Sequence, residues 1–246
     1  MPNDQLESQS GDAHLAQSDR RLAGKTAFIT GAARRVGAAI ARTLHAAGAN
    51  TVLHYRSSSE DAIELARELN AVRPGSAAVV SGDLLDIDKL PALAAAATQA
   101  FGGLDILVNN ASSFYPTPVG DISEIDWDDL IGTNLKAPLF LSQAAAPALH
   151  ANQGLVLNLA DIHGMRPLRR HPVYSVAKAG LIMLTKSLAR ELGPLAALAP
   201  ELIHPTEKVT IGELWQRFDR SAHALIEIEP STNLHSGLHR SPGSVP

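Results

Sequence analysis

The feature that most limits what this chain can fold into is a repeated pair: a short, continuous apolar run, then a helical stretch. Thr26 to Thr30 is the first such run, and Val36 to Ala47 follows with apolar residues at helical spacing, stopped by Gly48. The pair recurs down the chain. Thr51–His54 precedes a helix over Ser59–Leu69, with Ser59 as its expected N-cap. Ala77–Val80 precedes Leu90–Phe101, stopped by Gly102-Gly103. Leu104–Val108 precedes a long helical region from about Asp126 to Leu149. Gly154–Ala160 precedes Tyr174–Leu192, stopped by Gly193-Pro194. Strands that do not alternate polar and apolar residues are buried on both faces, as in a parallel sheet covered by helices. Right-handed strand-helix-strand units then predict an α/β chain with a doubly wound parallel sheet in one domain. Ligands of such sheets lie beyond the carboxyl ends of the strands, so the informative residues are those just after each strand.

Composition narrows the function. With 246 residues, 45% of them hydrophobic, the chain has ample material for a filled core. The absence of cysteine excludes disulfides, a thiolate nucleophile and zinc-thiolate sites, and fits a reducing compartment. A net charge of −4 gives no global basic field for nucleic acid. The first residues have neither a basic region nor an apolar core, so no secretory signal is expected, and residues 1–22 read as a flexible polar extension. Ala137 to Ala160 carries no charge, but Pro138, Gln143, Pro147 and Asn152 interrupt it. It reads as a buried helix, a turn and a buried strand, not a membrane span. The expectation is a soluble, cytoplasmic protein. The ten histidines show no metal-ligand spacing, and none is expected to hold a metal.

The strand ends carry chemistry in order. After the first strand comes Gly31-Ala32-Ala33-Arg34-Arg35-Val36-Gly37, a glycine-bearing turn into a helix N-terminus, suited to a phosphate. After the second come His54-Tyr55-Arg56-Ser57-Ser58, with no acid until Glu60. An acid here would hold a ribose 2′-hydroxyl, whereas Arg56 and hydroxyls suit a 2′-phosphate, with Arg34 helping. Asp83 and Leu84 follow the third strand, where a carboxylate can accept from an adenine amino group. Asn109-Asn110-Ala111-Ser112-Ser113-Phe114 follows the fourth, with Phe114 either core or a flat platform for an aromatic ligand. Asp161 follows the fifth, and Tyr174 and Lys178 share one face of the next helix. A lysine ammonium there is expected to lower the tyrosine pKa and make it a working proton donor. His163 and His171, and the cluster Arg166, Arg169 and Arg170, read as solvated loop residues, though the arginines suit an acidic substrate tail.

Together these residues resemble the short-chain dehydrogenase/reductase family, through the Thr30–Gly37 loop, Asn109-Asn110-Ala111, Asn134 and Tyr174-x3-Lys178. More narrowly the chain resembles pteridine reductases of the bacterial dihydropterin type. The carriers are the arginine-bearing loop, the run Asn109–Pro118, and Asp161 thirteen residues before the tyrosine, where most relatives hold serine. The resemblance spans about 23–194 and implies a Rossmann-like NADP-binding and catalytic domain, cofactor NADPH, and a homo-tetramer. It places Gly31, Arg34, Arg35, Val36 and Gly37 on the cofactor phosphates, with Arg35 also reaching the pterin. It places His54, Arg56 and Ser57 near the 2′-phosphate, and Asp83 and Leu84 near the adenine. Asn110, Ala111 and Ser112 would line the nicotinamide, with Asn110 and Ser112 also at the pterin, and Phe114 would sandwich the pterin against the nicotinamide. Asp161 and Tyr174 would relay the proton, Lys178 would hold the nicotinamide ribose, and Asn134 would orient a water path behind Lys178.

The implied activity is NADPH-dependent reduction of dihydrobiopterin, dihydromonapterin or dihydrofolate to the tetrahydro form. The alternatives are another short-chain carbonyl or alcohol oxidoreductase, and a catalytically inactive NADPH-binding product. The last arises because 195–246 departs from the family: no sixth strand or substrate loop is recognisable there, and Ser231–Pro246 reads as disordered. Either the segment is a divergent cap or it is translated from a shifted reading frame after about codon 194, and the second is expected.

Overall fold

The computed structural model describes residues 20–192 and the backbone of 196–199. Its elements are β1 (Thr26–Ile29), α1 (Arg35–Ala46), β2 (Asn50–Tyr55), α2 (Ser59–Val72), β3 (Ala77–Ser81), α3 (Leu90–Gln99), β4 (Ile106–Asn109), α4 (Glu124–Ile131), α5 (Ala137–Ala151), β5 (Leu155–Leu159), α6 (Pro172–Glu191) and β6 (Ala196–Ala199). The strands form one sheet in the order β3-β2-β1-β4-β5-β6, every pair parallel. The order reverses between β1 and β4, which opens the crevice where such folds bind ligands.

Two apolar layers enclose the sheet. Ile40, Leu44, Leu65 and Leu69 of α1 and α2 pack on Ile29, Leu53 and Val108. Leu93, Leu141 and Leu149 of α3 and α5 pack on Phe28, Val52 and Leu107 from the other side. The double coverage explains why β1 and β4 are buried at every position. β3 is only partly buried, because it is the sheet's edge and lacks a neighbour on one side.

The uncharged stretch from Ala137 to Ala160 is the helix-turn-strand unit the sequence suggests: α5, then a turn, then β5. Among the described residues, no helix is long and apolar enough to cross a membrane.

Four details differ from the sequence reading. Ser59 is the first residue of α2, and Ser58 stands at the cap position without a side-chain cap bond. The long helical region is broken: α4 starts on a Ser123–Asp126 capping box, and a single wide π turn over Gly132–Lys136 joins it to α5. Leu22, assigned to the extension, is 3% exposed in the core, and its N–H donates to the Ala47 carbonyl at 2.8 Å. A sixth strand does exist, since β6 pairs with β5 through Val156–Ala196 to Leu159–Ala199. The rest of both predicted terminal segments lies outside the described residues.

Candidate active site

The site is built at the β1–β4 switch point by a weld between strand ends. The Thr30 hydroxyl donates to the Val108 carbonyl at 3.2 Å and accepts the N–H groups of Asn110 at 2.9 Å and Ala111 at 3.0 Å. The Asn110 amide donates back to the carbonyls of Thr30 at 2.8 Å and Gly31 at 3.1 Å. Gly31 lies in the left-handed region at φ +61°, and Arg35 shares it at +49°, which is strained for a residue with a Cβ. Gly37 permits a close approach: a Cβ there would lie 2.2 Å from the Gly31 carbonyl and 2.7 Å from the Asn110 amide nitrogen. The loop is thus folded back tightly over the first turn of α1.

This loop walls one end of a cavity of about 450 Å³. Of the sequence-predicted residues, Gly31, Arg34, Arg35, Val36 and Gly37 line it from the loop. His54, Arg56, Asp83 and Leu84 line it from the ends of β2 and β3, and Asn110, Ala111, Ser112, Phe114, Tyr174 and Lys178 line the remainder. Ser57, Asn134 and Asp161 are not part of the wall. Ser113, Thr133 and Leu159 are, although the sequence did not single them out.

His54 does not serve as a charged phosphate ligand. It is 2% exposed, and both ring nitrogens are engaged. Gly31 N–H donates to Nδ1 at 3.2 Å, which leaves Nε2–H to donate to the Gly82 carbonyl at 3.1 Å. Burial pushes its pKa down to about 4, so the neutral ring ties the β1 and β3 loops together. The positive charge at this end comes from the exposed arginines. Arg34 donates to Asp61 at 2.7 Å, and Arg56 lies 4.0 Å from Asp83. Such solvent-exposed pairs are weak, and their guanidinium groups remain available to a phosphate.

At the other end Tyr174 and Lys178 stand one turn apart on α6, as their spacing requires. The Tyr174 hydroxyl donates to Asp161 Oδ2 at 2.7 Å, and Asp161 Oδ1 accepts the His163 N–H at 2.9 Å. Lys178, 4% exposed, donates to the Leu159 carbonyl at 2.8 Å, and its Nζ sits 5.6 Å from the centre of the Tyr174 ring. The expected lowering of the Tyr174 pKa does not occur. Burial first, then the hydrogen bond and the charge of Asp161, push it up, while Ser112 pulls weakly the other way. Burial pushes Lys178 down to about 8 against the opposing pull of Asp161. The phenol is therefore firmly protonated, with a carboxylate on its hydrogen.

Behind the wall, the Asn134 amide oxygen accepts from the Ser112 hydroxyl at 2.6 Å, and its nitrogen donates to the carbonyls of Ser113 and Leu130, both at 2.9 Å. The π turn carries it, and its side chain acts as a positioning group for Ser112. Phe114 is not core, at 54% exposure. One face stacks on His171 at 4.7 Å and 7°, and the Phe114 and Tyr174 rings meet edge to face at 4.8 Å and 75°. His171 therefore belongs to the site rim. Its nearness to Tyr174 in sequence was visible, but a stack between residues 114 and 171 has no sequence signal.

A parallel sheet with a glycine-bearing phosphate loop at its switch point, facing a protonated tyrosine backed by lysine, defines a nucleotide-dependent oxidoreductase. The family model described as short chain dehydrogenase matches residues 25–209, and the chain belongs to that family. The match continues past Pro194 and takes in β6. The chain is 37% identical to pteridine reductase 1 of Leishmania tarentolae, over 69% of this chain and 72% of that protein. It is 34% identical to an uncharacterized oxidoreductase of Staphylococcus aureus, over 70% and 73% of the two chains. Among solved structures it is similar to a short chain dehydrogenase from Burkholderia cenocepacia in complex with NADP, with a TM-score of 0.67 and 35% identity over 73% of this chain and 72% of that one.

Proposed function

We propose that the protein reduces dihydropterins, such as dihydrobiopterin, dihydromonapterin and dihydrofolate, to their tetrahydro forms using NADPH. The observation that carries this reading is the Tyr174–Asp161 hydrogen bond of 2.7 Å. Reduction of a C=N bond adds hydride to carbon and a proton to nitrogen. A serine before the tyrosine suits polarising a ketone oxygen. A carboxylate instead accepts from ring N–H or amino groups and returns protons to the phenol.

The cavity fits the cofactor: a tight glycine loop at a helix N-terminus, a strained arginine in it, and Arg56 where an acid would select the unphosphorylated ribose. Gly31, Arg35 and Gly37 would hold the phosphates, Arg34 and Arg56 the 2′-phosphate, and Lys178 the nicotinamide ribose. When bound, NADPH supplies the hydride. Tyr174 delivers its phenolic proton to the imine nitrogen of a ring seated against Phe114. Lys178, with Nζ 5.6 Å from the ring centre, favours the phenolate that results. Asp161 passes a solvent proton back to it. The pterin relative supports the substrate class and the NADP-bound neighbour supports the cofactor.

The test uses NADPH deuterated at its transferable position with dihydrobiopterin. The reading predicts one deuterium at the former imine carbon of the product, by mass spectrometry. Turnover without that label would refute it.

A further inference from the structure

We infer that residues 163–171 form a subsite for the acidic tail of a folate-type substrate, beside the Phe114 platform; this rests on the pterin reading above. The loop from Ile162 to Val173 carries Arg166, Arg169, Arg170 and two histidines, with no acidic residue. All three arginines are exposed. Among the described residues none of the three lies within ion-pair distance of a carboxylate, whereas Arg34, Arg42, Arg56 and Arg67 each do.

The loop is anchored against the site at three points. Asp161 accepts the His163 N–H at 2.9 Å. The His171 ring lies flat on Phe114 at 4.7 Å. The Arg170 carbonyl accepts the Thr117 N–H at 2.7 Å, with Arg170 held at φ +67°. The loop whose His171 packs on Phe114 thus carries three exposed arginines with no carboxylate partner among the described residues. Dihydrobiopterin has an uncharged tail. Dihydrofolate has the same ring system and two carboxylates on an aryl spacer, and guanidinium forks match carboxylates well. The tail is remote from the reacting bond, so its contacts act mainly on KM.

The experiment compares steady-state kinetics of wild type and the double variant Arg166→Gln/Arg169→Gln with both substrates. Arg170 is left intact because its backbone holds the loop. The exposed positions spare the fold, and a circular dichroism melt confirms it. The expected result is a roughly three- to tenfold rise in KM for dihydrofolate at constant kcat, as two modest exposed pairs would give, with dihydrobiopterin changed less than twofold. Raising the salt concentration reproduces the selective rise in wild type. Equal changes for both substrates, or none for either, overturn the subsite while leaving the pterin reading standing. Failure of wild type to reduce either pterin overturns both.

Discussion

Replacing Asp161 by serine isolates the group that distinguishes this site. The variant removes a charge-assisted hydrogen bond of 2.7 Å to the Tyr174 hydroxyl. Bonds of that kind contribute about 1.5–3 kcal/mol, or roughly 10- to 150-fold at 1.36 kcal/mol per tenfold in rate. If Asp161 also reloads the phenol with a proton, the loss reaches the range of about 10² to 10⁴ typical of a general acid-base group. Serine retains an oxygen able to accept the His163 N–H, so the adjoining turn survives. Asp161 lies outside the cavity wall and contacts no residue of the Gly31–Gly37 loop among the described hydrogen bonds. The Kd for NADPH, measured by fluorescence titration, should therefore change less than about twofold while kcat/KM for dihydrobiopterin falls about a hundredfold or more. The pH profile gives a second reading. Asp161 raises the Tyr174 pKa, so its removal shifts the alkaline limb of kcat to lower pH. Equal loss of cofactor binding and turnover, or an unmoved limb, would refute the reasoning.

Other expectations follow from the same geometry. His54 has a folded pKa near 4, below the ordinary imidazole value of 6.5, so protonation favours the unfolded chain. The stability is fully present above pH 6.5 and is lost as pH falls toward 4, by up to about 3 kcal/mol. Urea unfolding should show a smaller drop between pH 7.5 and 4.5 for His54→Gln than for wild type; equal drops exclude His54. Gly37→Ala puts a methyl 2.2 Å from the Gly31 carbonyl and should destabilise the fold by about 1–3 kcal/mol, seen as a lower Tm, and raise KM for NADPH at least tenfold. Arg56→Asp should lower the NADPH/NADH ratio of kcat/KM by about 10- to 150-fold, given roughly 1.5–3 kcal/mol for a charged hydrogen bond.

The sequence carried the frame of this fold because each strand is a short apolar run and three of the helices run up to a glycine, at Gly48, Gly102 and Gly193. It also carried the order of the strand-end residues, since a parallel sheet brings those ends together. What it missed are interactions between distant positions. The hydrogen bond from Ser112 to the Asn134 amide, which the π turn makes possible, has no sequence signal. The place of His54 after the second strand does not show that both its nitrogens are bonded to backbone. The Tyr174–Lys178 spacing suggests a lowered phenol pKa, but burial and Asp161 push it up, with Ser112 pulling the other way. β6, built from Ala196-Ala197-Leu198-Ala199, lacks the β-branched residues that mark a strand, and only its pairing with β5 reveals it.

The central claim is that Asp161 and Tyr174 tune a short-chain oxidoreductase for C=N reduction in a pterin ring. Its most direct test follows NADPH absorbance at neutral pH with dihydrobiopterin, dihydrofolate and a panel of ketones, each as sole substrate. The account predicts oxidation of NADPH with the dihydropterins at a kcat/KM far above that for any ketone. Turnover of ketones alone, or thermal stabilisation by NADPH without turnover of any substrate, would contradict it.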